Sequence, residues 1–174
     1  MEKDPKPNNQ NLSAQDAIDK LKELIKSESI CHFCTNLAKQ PISSRPMSTQ
    51  KVDDEGNIWF MSSIKSGKNE EIEKNNSVQL FYSNPSNYEF LSVFGKASIH
   101  TDREKIYELW SPFAKAWFED GKDDVDISLI KVEPEESYYW DTKSNKMISM
   151  IKMLAAMVTG SAPDDGVEGK LHIN

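Results

Sequence analysis

The sequence predicts a mainly β protein with flanking helices, its strands closed into a small antiparallel barrel. Two observations carry that expectation. Several strand-like runs follow one another between an opening helix and a helical insertion, and more follow the insertion. The gaps between them are short and hold hairpin residues, which suits antiparallel pairing rather than parallel crossovers.

Residues 1–12 are rich in Lys, Asn and Pro with almost no apolar content, and are expected to form a disordered tail before a domain over residues 13–160. Ser13 is a good N-cap, and Asp16 falls in the first turn near the positive end of the helix dipole. Ile18, Leu21, Leu24 and Ile25 mark one face at helical spacing, which predicts an amphipathic helix over residues 14–27. Strands are expected over residues 30–35, 45–52 and 57–62. Asp53-Asp54-Glu55-Gly56 joins the last two as a hairpin, with Gly56 available for positive φ. A short helix over 68–74 precedes the Asn75-Asn76 turn and a strand over 77–82. Asn84-Pro85-Ser86-Asn87 is a strong turn signal. The strand beyond it, 88–100, is interrupted at Gly95, where a bulge or a close backbone approach is expected. Thr101 and Glu104 have capping-box spacing and open a helix through Trp110. A helical piece over 112–118 and an acidic loop over 119–124 lead into strands over 126–132 and 137–141. Ser144 is expected to cap a last helix over 145–159, which Gly160 ends. Residues 161–174 read as a polar tail with a short strand at 170–173. There is no internal repeat.

At 174 residues and 19.8 kDa the chain suits one domain, large enough to bury a core without disulfides or a structural metal. Lys+Arg is 21 against Asp+Glu 28, a net charge of -7, which phosphate backbones repel, so no nucleic-acid partner is expected. A hydrophobic content of 37% and a mean hydropathy of -0.64 fit polar tails diluting a normal core. Neither a membrane span nor an apolar leader is read in the sequence, and two cysteines make no disulfide framework, so a cytoplasmic location is expected.

Most of the suggestive motifs fail on spacing. Cys31-x-x-Cys34 lies inside a strand rather than at a helix N-terminus and has no second pair, so packing is its expected role. His32, His100 and His172 are scattered without ligand spacing. The loop at residues 120–124 lacks the alternate ligands and closing Glu of an EF-hand. Ser66-Gly67-Lys68 ends like a P-loop, but Ser62 stands where an earlier glycine is required. Met147, Met150, Met153 and Met157, with Ile148, Ile151, Leu154 and Val158, make the last helix apolar nearly all round. Such a helix must be buried on more than one side, and a subunit interface is favoured over deep packing in so small a barrel.

A sharper signal is Arg45 followed by a strand pair and then Ser62-Ser63-x-x-Ser66-Gly67-Lys68. Arg45 and Arg103 are the chain's only arginines, so arginine is no default surface choice here. Hydroxyls, a cation and helix N-terminal amides together suit a phosphate group, while a polar loop with an exposed Lys remains the alternative. In Tyr138-Tyr139-Trp140-Asp141, alternation puts Tyr138 and Trp140 on one strand face and Tyr139 with Asp141 on the other.

These segments resemble a known family. Arg45-Pro46-Met47-Ser48, Ile58-Trp59-Phe60-Met61-Ser62, Ser66-Gly67-Lys68, Val93-Phe94-Gly95-Lys96-Ala97, Tyr138-Tyr139-Trp140-Asp141 and Ser144-Asn145-Lys146-Met147 are similar, in order, to the FMN-binding split-barrel proteins. Within that pyridoxamine 5'-phosphate oxidase-like group the bacterial general stress protein branch is nearest. The resemblance implies a six-stranded antiparallel split β-barrel, a homodimer and FMN at the dimer interface. It places Arg45, Pro46, Met47 and Ser48 along the flavin ring and ribityl chain. Ser62, Ser63 and Lys68 fall on the phosphate, and Trp140 reaches in from the second subunit. The oxidases usually carry Arg directly before the phosphate Lys, where this chain has Gly67 and, nearby, Lys65. A flavin-contacting Gln falls near Phe90. The C-terminal Arg and His that bind the pyridoxal substrate have no counterpart around Lys170-Leu171-His172, which argues against pyridoxamine phosphate oxidation.

The resemblance thus implies an FMN-dependent oxidoreductase exchanging electrons with a small-molecule donor or acceptor, with no catalytic acid or base assigned. The alternatives are a non-catalytic flavin-binding or flavin-sensing module, and a structural dimer whose site has decayed.

Overall fold

The structure, a computed structural model, describes residues 9–142 and 166–173. Helix α1 (Ala14–Ser27) buries Ala17, Ile18, Leu21, Leu24 and Ile25 on one stripe, the face that its 3.6-residue periodicity dictates. Ser13 holds the N-cap position with extended backbone but makes no side-chain capping bond. Strands β2 (Ile30–Thr35), β3 (Ser43–Val52) and β4 (Ile58–Ser63) form an antiparallel meander. Gly56 takes φ 83° in the turn between β3 and β4, as the Asp-rich turn required. Helix α2 (Gly67–Lys74) then leads into the hairpin of β5 (Ser77–Asn84) and β6 (Glu89–His100).

Six strands, in the order β7-β4-β3-β2-β5-β6, close through the pairing of β6 with β7 (Ile127–Thr142) into an antiparallel barrel. The split comes from β7. Residues 127–132 pair with β4, whereas residues 137–142 pair with β8 (Gly166–His172) instead. Both halves keep β6 on their other edge. Strands were expected separately over 126–132 and 137–141, and the structure joins them into one of 16 residues. A bulge absorbs the irregularity, since Phe94 pairs with Glu136 and Gly95 with Pro134, leaving Glu135 as the extra residue. Gly95 is required here, because a Cβ built on it would lie 2.3 Å from the Glu133 carbonyl oxygen.

Chain order begins earlier than residue 13. Asn9 bridges Glu168, and β1 (Leu12–Ser13) runs parallel to Leu171 and His172, so the expected short strand at 170–173 is longer and has a partner. The insertion is helix α3 (Arg103–Leu109) with 3-10 turns at Pro112–Ala116 and Gly121–Asp123. Its cap is Asp102, which accepts from the Lys105 amide at 2.7 Å, rather than Thr101 of the expected capping box. A carboxylate nearer the helix start takes the exposed amide. The helix expected over 145–159 lies outside the described residues.

The main core fills the barrel with Phe33, Phe60, Leu80, Val93, Ile130 and Tyr139, and α1 closes over it. A second cluster packs Trp59 and Leu129 against the insertion. Cys31 and Cys34 are free and buried, consistent with packing roles.

Candidate functional site

The ends of β2 and β3 and the start of α2 gather a charged cluster at one end of the barrel. Register pairs Phe33 with Arg45 and Thr35 with Ser43. Alternation puts Ser43, Arg45 and Met47 on one face of β3; Met47 enters the core and anchors the strand. Arg45 Nη1 donates to Thr35 Oγ1 at 2.6 Å, and its Nη2 donates to Glu71 Oε2 at 2.8 Å. Glu71 also accepts from Ser43 Oγ at 3.1 Å and from the Thr35 hydroxyl. Burial would push the Glu71 carboxyl up, but its bonds from Thr35, Arg45 and Ser43 win and hold it below the usual carboxylate value.

Lys68 lies one helical turn before Glu71 and is half-buried. Its ammonium donates to Ser66 Oγ at 2.7 Å, and among the described residues no carboxylate pairs with it. Burial lowers its pKa, and the positive charge of Arg45 adds to the effect. An ammonium disfavoured in this way gains from an anion placed against it. No Cβ stands at Gly67, where one would meet nothing within 4 Å, so the approach to the α2 N-terminus is open.

Ser62 plays a different part. It is 3% exposed, and its hydroxyl donates to Asn69 Oδ1 at 3.0 Å. Asn69 Nδ2 donates to Ser128 Oγ at 2.9 Å, and Ser128 Oγ donates back to the Ser62 carbonyl at 3.2 Å. The buried triad bolts the first turn of α2 to β4 and β7, and so fixes where Lys68 stands. Ser63 Oγ accepts from the Lys65 amide at 3.3 Å. The Lys65 ammonium is exposed and paired with Asp126 at 2.6 Å, on the β7 flank.

Pro46 and Ser48 occupy the outward face of β3, opposite Arg45 and Met47. Register carries this face across the barrel in one row: Pro46, His32, Phe81, Ser92 and Tyr138. A cavity of about 290 Å³ opens there, lined among others by Glu28, Ile30, His32, Pro46 and Phe81. Trp140 lies near the end of the outward face of β7, 42% exposed, its ring 4.7 Å from that of Tyr138. Trp140 lies twelve positions along β7 from Ser128, towards the other end of the strand from the Ser62–Asn69–Ser128 triad.

Within one chain, the structure therefore brings Arg45 and Lys68 together. It sets Ser62 and Ser63 beside them, and leaves Pro46, Ser48 and Trp140 on the outward face. Sequence reasoning missed Thr35, Ser43, Asn69 and Glu71. Only Glu71 carried a usable signal, standing three residues after Lys68 and thus on the same helix face. Among the described residues no cluster of His, Cys, Asp or Glu could hold a metal, and no helix is long and apolar enough to cross a membrane.

A barrel that trades one closing strand for an added one defines a split-barrel protein, here with a lysine and an arginine gathered at one end. The chain belongs to the pyridoxamine 5'-phosphate oxidase-like family, whose pattern matches residues 16–164. General stress protein 26 of Bacillus subtilis is 33% identical over 86 residues, 45% of this chain and 58% of that protein. The chain spans about 60% of the length of the curated relatives it matches. A protein of Jannaschia sp. CCS1 described as a general stress protein 26 superposes with a TM-score of 0.74 at 23% identity, covering 90% of this chain and 98% of that one. The general stress FMN/FAD binding protein of Xanthomonas citri gives 0.64 at 24%, covering 76% and 93%.

Proposed function

We propose that the chain binds FMN at the interface of a homodimer and serves as an oxidoreductase for a small-molecule donor or acceptor. The observation that carries the reading is the half-buried Lys68 ammonium, disfavoured by burial and by Arg45, with no carboxylate against it among the described residues. A phosphate monoester supplies the missing negative charge. The flavin binding of the Xanthomonas citri neighbour supports the choice of a flavin phosphate.

In this reading Lys68, the Ser66 hydroxyl and the first amides of α2 hold the phosphate. Arg45, fixed by Thr35 and Glu71, adds its field from behind. Ser62 and Ser63 support the cradle, Ser62 through Asn69. Met47 roots β3 in the core, so that Pro46 and Ser48 present a rigid edge to the ring. Trp140 comes from the second subunit, a reading supported by its place on β7 well away from Ser128 in its own chain. The bound flavin supplies the redox chemistry, and the protein positions it and excludes water.

The test is the visible spectrum of freshly purified protein, followed by steady-state oxidation of a reduced nicotinamide or deazaflavin donor. Flavin bands with turnover support the reading. Flavin bands without turnover leave a binding or sensing module, and a colourless protein that FMN does not bind overturns it.

A further inference from the structure

The cradle holds an acid that a phosphate site has no need of. Glu71 is no solvated helix residue: its side chain is 26% exposed and accepts from Thr35, Ser43 and Arg45 together. Its neighbours Glu70 and Glu73, by contrast, are exposed. Among the described residues, the charges gathered here are Arg45 and Lys68 against Glu71, a net single positive where the two cations alone would give two. A doubly charged ester gains twice what a singly charged one gains from each positive charge, so the net charge of the cradle decides how strongly it separates them.

We propose that Glu71 is the specificity-determining residue of this cradle, holding it to one net positive charge so that singly and doubly charged phosphate esters bind with comparable affinity. The inference rests on the flavin phosphate reading above. It also gives Arg45 a definite part. Two of its N–H groups hold it against Thr35 and Glu71, so Arg45 acts on the ester chiefly through its field, and Lys68 is the cation that makes contact.

Three flavins of matched ring and graded charge test this: riboflavin (neutral), riboflavin 4',5'-cyclic phosphate (one charge) and FMN (close to two at pH 8). Each is titrated by flavin fluorescence into full-length wild type, Glu71→Gln and Glu71→Asp. In wild type the FMN to cyclic ester affinity ratio is expected below about tenfold, and a higher ratio overturns the proposal. Glu71→Gln keeps the side-chain shape and removes the charge. It should tighten FMN about fivefold and the cyclic ester about twofold, with riboflavin unchanged. Glu71→Asp keeps the charge and should keep the wild-type ratio. A purely structural Glu71 predicts lower melting temperatures in both variants with the ratio unmoved, and that result overturns the proposal. Should Glu71→Gln not fold, Glu71→Met makes the same change of charge, and a wild-type ratio above about tenfold overturns the proposal without any variant. If no flavin binds wild type, it is the flavin reading that fails, a distinct outcome.

Discussion

The indole N–H of Trp59 donates to Asp53 Oδ2 at 2.8 Å, across the mouth of the β3–β4 hairpin. The same carboxylate accepts from the Asn57 side chain at 3.0 Å and from the Asn57 and Glu55 amides at 2.8 and 3.1 Å. Partial burial would push the Asp53 carboxyl up, but these donors prevail and its pKa is lowered. A depressed carboxylate contributes stability above its unfolded value of about 3.9 and loses it as pH falls through the folded value. Asp53→Asn should cost about 1.5 kcal/mol at pH 7, modest because the carboxylate is partly open to solvent. The cost should shrink below pH 4, as urea midpoints at both pH values would show. An equal cost at both would mean that the charge contributes nothing.

The Ser62–Asn69–Ser128 triad predicts a second outcome. Asn69→Leu leaves two buried hydroxyls without their amide partner, at about 1–3 kcal/mol each. Thermal unfolding should show the loss, and FMN affinity should fall as well, because α2 is no longer bolted in place. Lower stability with full affinity would show that the triad serves the fold alone.

Gly95→Ala meets a harder obstacle. The new Cβ would lie 2.3 Å from the Glu133 carbonyl oxygen, with Pro134 Cα close behind at 3.1 Å. Backbone must move, so overpacking should cost at least about 1–3 kcal/mol, read as a drop in melting temperature. An unchanged melting temperature would place the bulge elsewhere.

Lys68→Met removes the cation that contacts the phosphate while keeping its length. FMN affinity should fall by about 1.5–3 kcal/mol, the worth of a charged hydrogen bond, with riboflavin affinity unchanged. Equal losses for both flavins would indicate a collapsed loop rather than a lost charge.

Trp140→Phe keeps the apolar bulk and removes the N–H donor. In the proposed dimer, folding should survive while FMN affinity falls by about 0.5–1.5 kcal/mol. Light scattering should show a dimer at micromolar concentration, and a stable monomer that retains FMN would exclude any role for Trp140 across an interface.

Where local chemistry is self-contained, the sequence was legible. Helix α1 follows from one apolar stripe, the hairpin from Asp53 to Gly56, and the close backbone approach from the lone Gly95, although β6 runs on unbroken through it and the extra residue lies in β7. The aromatic run also reads correctly, with Tyr139 buried at 1% exposure and Trp140 facing outward. What was hidden depends on partners distant in the chain. Strand β7 is continuous because β6 runs unbroken beside it, which no feature of Glu133 to Glu136 announces. Asn69 sits in a helix of charged residues and looks like surface; only β4 and β7 closing over it make it buried. Glu71 looks like one more acid until Thr35 and Ser43, from two other strands, meet it.

The extra residue in β7 has a consequence for how this chain tolerates insertions and deletions. Before it, the inward residues of β7 are even-numbered, Ile130, Val132 and Pro134; after it they are odd, Ser137 and Tyr139. Glu135 is thus a phase shifter. Deleting it would leave Ser128 and the cradle untouched but drive Tyr138 and Trp140 into the barrel and turn Tyr139 out to solvent. The identity of the outward aromatic pair is therefore written in the parity of a count, not in the aromatics themselves, and a change of one residue far from either ring would rewrite it.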